Sequence, residues 1–212
     1  MGKIMEAIFC VVYLVITFAL GIKITSKANG RKEIKLFGIM TLVLVGGDSF
    51  HLVPRILAAL NQTGDYSKAM GVGTLITSIT MTIFYLIMYY LFEIHYNKER
   101  TLLKITMIVF SVIRIALCLM PQNDWTGESP VIWGVYRNIP FVIIGIIMIV
   151  LFYTKRADNV YKLMWLAILL SFVFYLPVVL LADSYPIVGM FMMPKTCMYV
   201  WMVVMGYKMS KK

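Results

Sequence analysis

Histidine and cysteine are scarce in this chain, at two and three residues of 212. His51 and His95 fall in separate apolar stretches, and neither belongs to an HExxH pattern or a cysteine–histidine cluster. That removes the ligand sets of ordinary zinc sites, so no metal and no cofactor is expected. Cys10, Cys118 and Cys197 show no CxxC spacing, and an odd count without a motif excludes a disulfide framework. They read as small residues packed between helices. Charge is also thin: 14% of residues are charged, against about 25% in a soluble domain. There is no strand followed by a Gly-rich phosphate loop, and no small-residue cleavage site behind the first apolar run, which is preceded only by Lys3 and reads as a retained span.

What remains is apolar. Hydrophobic residues make up 61% of the chain, and the mean hydropathy is +0.85. A bilayer core needs about 20 largely apolar residues per helix. Seven stretches meet that, at about 4–24, 35–59, 69–94, 102–120, 134–153, 160–182 and 186–207. The expectation is an all-α, polytopic integral membrane protein forming one seven-helix domain over residues 1–212, in a cell membrane of the bacterial inner type, with membrane lipids as its surroundings.

The net charge of +10 comes from basic residues in short turns, so it orients the chain in a membrane and does not mark a nucleic-acid partner. Cations follow span 1 (Lys23, Lys27, Arg31, Lys32, Lys35), span 3 (Lys98, Arg100, Lys104), span 5 (Lys155, Arg156, Lys162) and span 7 (Lys208, Lys211, Lys212). The alternate turns hold Asp65 with Lys68, Asp124 with Glu128, and Asp183. This bias puts the N-terminus outside and the C-terminus inside. Residues 49–58 and 171–180 also resemble each other once Pro54 and Pro177 are aligned. Spans 1–3 and 5–7 would then be parallel repeats, with span 4 as the odd linker.

The polar residues inside these spans are the functional candidates, because leaving water costs an ionised side chain roughly 2.5–3.5 kcal/mol even on the lenient insertion scale. Asp48, His51 and Arg55 share one face of span 2, within about 60° at 100° per residue. Counting about 1.5 Å per residue puts Asp48 near the midplane, His51 one turn further out and Arg55 at the outer interface. Arg114 in span 4 lies roughly 18 Å from the inner edge, and Lys195 in span 7 about 13 Å below the outer surface. Glu6, Arg137 and Asn138 sit near outer helix ends, where snorkelling to the headgroups would also explain the charged ones. The outer half therefore carries Arg55, Arg114, Arg137 and Lys195 against Asp48 and Glu6, a balance that would attract a small amphiphilic or anionic ligand. Tyr199, one turn from Lys195, adds a polar lining group, as do Tyr13, Thr74 and Ser78.

Three readings compete for these residues: a lipid hydrolase, a carrier that binds solute with the same groups, and a receptor-like protein with no chemistry. Asp48 and His51, at i and i+3, can form a general acid–base pair. Ser49 lies 100° away, which excludes a Ser-His-Asp triad. A purely structural alternative pairs Asp48 with Lys195 or Arg114. His95, beside Tyr96 and Asn97 at the inner boundary, reads as a solvated end residue.

The run Gly47-Asp48-x-x-x-Leu52-x-Pro54-Arg55, followed by Gly73-Thr74-Leu75-Ile76-Thr77-Ser78, resembles part of the lysoplasmalogenase-like (YhhN-type) membrane family. The resemblance implies cleavage of the vinyl-ether bond of lysoplasmalogens, with Asp48 as the family's aspartate. Ile79 stands where that family has a histidine after Ser78, no second aspartate occurs around Ser171–Tyr175, and the count is seven spans where the family has eight. Seven spans, an outer N-terminus and a 3-1-3 repeat also resemble sugar carriers of the SWEET type. Pro121-Gln122, the signature dipeptide of that group, lies here in an outer turn.

Overall fold

A computed structural model describes residues 2–61, 63–97, 99–127, 129–182 and 184–211. Lys98, Glu128, Asp183 and Lys212, used above for orientation, lie outside the described residues. The chain forms seven long α-helices: α1 (Gly2–Ser26), α2 (Lys32–Leu60), α3 (Ser67–Tyr96), α4 (Thr101–Leu119), α5 (Val131–Thr154), α6 (Met164–Leu181) and α7 (Met192–Ser210). Short 3₁₀ turns, Pro121–Asn123 and Pro186–Phe191, precede α5 and α7. No strand occurs among the described residues. All seven helices are long and apolar enough to cross a membrane, and the protein is a multi-pass membrane protein.

Two helices begin later than their apolar runs. Residues 186–191, inside the seventh run, form the 3₁₀ turn before α7. Residues 155–163 form turns, so α6 starts at Met164 and not near residue 160. The cause is local: Asp158 Oδ1 accepts the Val160 N–H at 3.0 Å, an Asx-type turn that competes with the helix.

The outward faces carry exposed apolar side chains such as Val15, Leu102, Val112 and Ile146, as expected of surfaces that meet lipid. With lipid on the outside, helices gain little from hydrophobic burial and instead rely on close packing over small residues. Gly73 of α3 is one such position. A Cβ there would stand 2.7 Å from His51 Cα, besides colliding with the Phe50 carbonyl oxygen. Pro54 removes the N–H that would ordinarily bond that carbonyl, so the α2 backbone can lie directly on α3.

Packing divides the bundle into two sets. The most extensive contacts join α1 to α2 and α2 to α3, and the next join α5 to α6 and α6 to α7. Contacts across the sets, α1 with α7, α2 with α7 and α3 with α5, are sparser, and α4 touches one helix of each. A continuous aromatic core runs between the sets. Tyr85, Phe141 and Phe172 stack within 5.0–5.9 Å. Further along, Phe92, Phe152 and Tyr161 stand 5.3–5.5 Å apart.

Candidate functional site

The end of the bundle carrying the α2–α3 and α6–α7 turns is the one that the cation bias predicts to be outer. A cavity of about 100 Å³ opens there at the junction of the two helix sets. One wall is His51 of α2 with Thr74, Thr77, Ser78 and Met81 of α3, residues at i, i+3, i+4 and i+7 and hence on one helical face. The other wall is Phe141 of α5, Tyr175 of α6, and Met192 and Lys195 of α7; Arg114 of α4 completes the lining.

The hydroxyl wall is already hydrogen-bonded. Thr74 Oγ1 donates to Met70 O at 2.8 Å, Thr77 Oγ1 to Gly47 O at 3.0 Å, and Ser78 Oγ to Thr74 O at 2.8 Å. His51 Nδ1 lies 3.0 Å from Thr74 Oγ1 and 3.3 Å from Met70 O. A carbonyl only accepts, and the Thr74 proton is already spent, so both contacts require a proton on Nδ1. A neutral His51 then presents Nε2 as its acceptor.

The cationic side is not satisfied. Arg114 is 2% exposed, and its guanidinium carbon stands 3.3 Å from the Phe141 ring centroid. Its Nε and Nη1 have no hydrogen-bond partner. No carboxylate forms a salt bridge with it among the described residues. Leaving a buried charged donor unpaired costs about 1–3 kcal/mol or more per group, and π-stacking on Phe141 returns only a part of that. Lys195 also stands on aromatic rings: Nζ sits 4.2 Å from the Tyr175 ring centroid and 5.6 Å from that of Tyr199, with no direct salt bridge among the described residues, though the Asp48 charge acts on it. Asn138 places this platform, accepting the Tyr175 hydroxyl at 2.8 Å on Oδ1 while its Nδ2 donates to Gly134 O at 2.8 Å. Tyr199 is itself buried, edge-on to Phe84.

The remaining sequence candidates lie elsewhere. Asp48 makes no direct salt bridge to Lys195 or Arg114, although its charge and that of Lys195 are near enough to act on each other; its Oδ2 accepts the Tyr13 hydroxyl of α1 at 2.6 Å. No hydrogen bond joins Asp48 to His51. Glu6 and Arg55 pair with each other across α1 and α2, lining a separate 170 Å³ groove beside Cys10. Arg137 donates from Nη1 to Asn123 Oδ1 at 2.8 Å and stacks 4.3 Å from the Trp125 ring. Asn123 in turn donates to the Leu117, Cys118 and Met120 carbonyls that end α4, so Arg137 ties down that helix end. No family model, no curated protein and no solved structure matches this chain. The likeness to lysoplasmalogenase-like proteins therefore rests on residues 47–78 alone.

A second polar cluster lies at the opposite end, the one predicted to be inner, and here the sequence reading of His95 as a solvated end residue is corrected. His95 Nδ1 lies 2.7 Å from Glu33 Oε1, and Nε2 lies 2.9 Å from Asp158 Oδ2. Tyr161 donates to the same Glu33 oxygen at 3.0 Å, and Tyr96 to the same Asp158 oxygen at 2.6 Å. Burial raises the Asp158 pKa, but the hydrogen bonds from Tyr96, the Val160 N–H and His95 outweigh it and hold the carboxyl below its ordinary range. Burial and then the Glu33 charge push Tyr161 well above its ordinary value, so it stays a donor. The sequence does carry a signal for this cluster. Glu33 and Asp158 are acids placed within otherwise cationic inner turns.

Proposed function

We propose that this membrane protein is a carrier for a small anion, bound between the two helix sets by Arg114 and Lys195. The observation behind this reading is Arg114: a cavity-lining residue whose buried guanidinium has two donors without a partner and no salt bridge among the described residues. A charge in that setting is tolerated when an anion completes it. The size of the cavity favours a compact carboxylate or a headgroup-sized phosphate. A liquid water takes about 30 Å³, so the space corresponds to only a few waters. Placement at the junction of two separately packed sets favours carriage, since rocking one set against the other exposes the site alternately. Purified protein in liposomes should take up small carboxylates or phosphate down a gradient, and protein-free liposomes should not. Equal flux in both would sink the carrier reading.

A second reading follows from the family resemblance and is supported by the Tyr13–Asp48 hydrogen bond, which orients the Asp48 carboxyl. There Asp48 would protonate the vinyl-ether carbon of a lysoplasmalogen while water adds to the carbon bearing oxygen. The resulting hemiacetal would collapse to a fatty aldehyde and the chain-free glycerophosphodiester. Detergent-purified protein should then release aldehyde from lysoplasmalogen, and Asp48→Asn should lose at least about 100-fold of that rate, the scale of one general acid. An Asp48→Asn rate equal to wild type removes this reading and leaves the carrier intact.

A further inference from the structure

We infer that the Glu33–His95–Asp158 bridge is the inner closure of the carrier, held shut by a single proton. The inference rests on the carrier reading of the outer cavity but is carried by separate residues.

The bridge spans the two helix sets. Glu33 opens α2 and His95 ends α3, whereas Asp158 and Tyr161 belong to the connection from α5 to α6. Tyr161 also reaches α7, with its hydroxyl 3.3 Å from Met209 Sδ. Any motion that admits a solute from the inner side must separate these elements. The buried rings of Phe92, Phe152 and Tyr161 pack beside the bridge, Tyr161 standing 4.8 Å from the His95 ring. The inner end is therefore closed where cross-set contacts are otherwise sparse.

The proton count gives the bridge its switch. Ionised carboxylates only accept hydrogen bonds, and a neutral imidazole has one donor. Contacts of 2.7 and 2.9 Å to both carboxylates therefore need one proton more than a neutral ring and two carboxylates hold. That proton belongs to the cluster as a unit. The groups facing His95 are Glu33 from α2, Asp158 and Tyr161 from the connection, and Tyr96 on its own helix, with Lys155 4.9 Å from the Tyr96 ring. The tyrosines keep one oxygen of each carboxylate bonded in either state, and Lys155 is one cation at the edge. Losing the proton turns a ring lone pair toward a carboxylate and leaves two anions facing each other across the sets. Rising pH should open the inner end, and falling pH should close it until the carboxylates themselves protonate. Asp158 is held low, and what it adds to stability is lost only as pH falls through that depressed value.

Spin labels test this directly, because a distance does not depend on the chemistry of labelling. With Cys10, Cys118 and Cys197 replaced by alanine, labels go at Lys32→Cys and Asn159→Cys, exposed neighbours of Glu33 and Asp158. Between about pH 5 and about pH 9 the longer-distance population should grow several-fold and reversibly. His95→Gln should make the distribution independent of pH. Asp158→Asn, which keeps an accepting oxygen and removes one of the two facing charges, should blunt the response and covers the case in which His95→Gln does not fold. An identical distribution at both pH values, or a full response in both variants, overturns the inference. No anion is needed. Opening with pH in a protein that carries no anion retains the closure and discards the carrier, and anion uptake with a fixed distance does the reverse.

Discussion

Arg114→Met should make the empty protein more stable and leave it unresponsive to anions. Replacing a buried, incompletely paired charge with an apolar side chain of similar volume is worth up to about 1–4 kcal/mol. At roughly 2–4 °C per kcal/mol for a chain of this size, the melting temperature should rise by several degrees. Two charge-assisted hydrogen bonds from the guanidinium to a ligand would each contribute about 1.5–3 kcal/mol. Their loss should weaken anion binding by roughly 10²–10⁴-fold. Thermal unfolding in detergent across a series of carboxylates and phosphate reads both effects at once. Wild type should melt higher as anion is added, and Arg114→Met should start higher and not move. A lowered melting temperature with an intact anion response would place the guanidinium in a structural role and remove it from the site. Arg114→Lys provides an internal comparison, keeping the charge without the planar fork, and should retain a weakened response.

Lys195→Met should lower anion affinity by about 10–100-fold, the scale of one charge-assisted contact, without the gain in stability expected at Arg114. The difference follows from their surroundings. Lys195 is only half-buried, and its ammonium already rests on the Tyr175 and Tyr199 rings, so removing it relieves little and gives up about 0.5–2 kcal/mol of cation–π attraction. Titrating the anion-induced melting shift in wild type, Lys195→Met and Lys195→Arg separates the contributions. Arginine should restore much of the affinity, because a cation over the same tyrosines is what the site requires. Unchanged affinity in Lys195→Met would mean that the ammonium serves the tyrosine platform and not a ligand.

Asp48 and Lys195 illustrate why part of the site was legible in the chain and part was not. An intramembrane charge is costly wherever its helix points, so Asp48, Arg114 and Lys195 stand out from composition and depth alone. Which of them meet is another matter. Asp48 turns to Tyr13 of α1, and Arg114 meets the face of Phe141 instead of a carboxylate. Glu6 and Arg55, each readable alone as a residue reaching for headgroups, neutralise each other across two helices. Periodicity relates side chains on the same helix and says nothing about the rotation of its neighbour.

His95 is the sharper case. Its sequence neighbours are Tyr96 and Asn97 at a helix end, an ordinary solvated setting, yet its partners lie 62 and 63 residues away in opposite directions. The sequence by itself determined seven membrane-crossing helices, the faces of those helices that carry charge, and an excess of cations in the half expected to be outer. Each follows from the cost of polar groups in hydrocarbon, which is paid residue by residue. Tertiary structure decided that α1–α3 and α5–α7 pack as two sets, that Arg114 forms no salt bridge among the described residues, and that His95 spans the end predicted to be inner between two carboxylates. Those outcomes depend on which small residues let two helices approach, as at Gly73 against Phe50 and His51, and on how each helix is then turned.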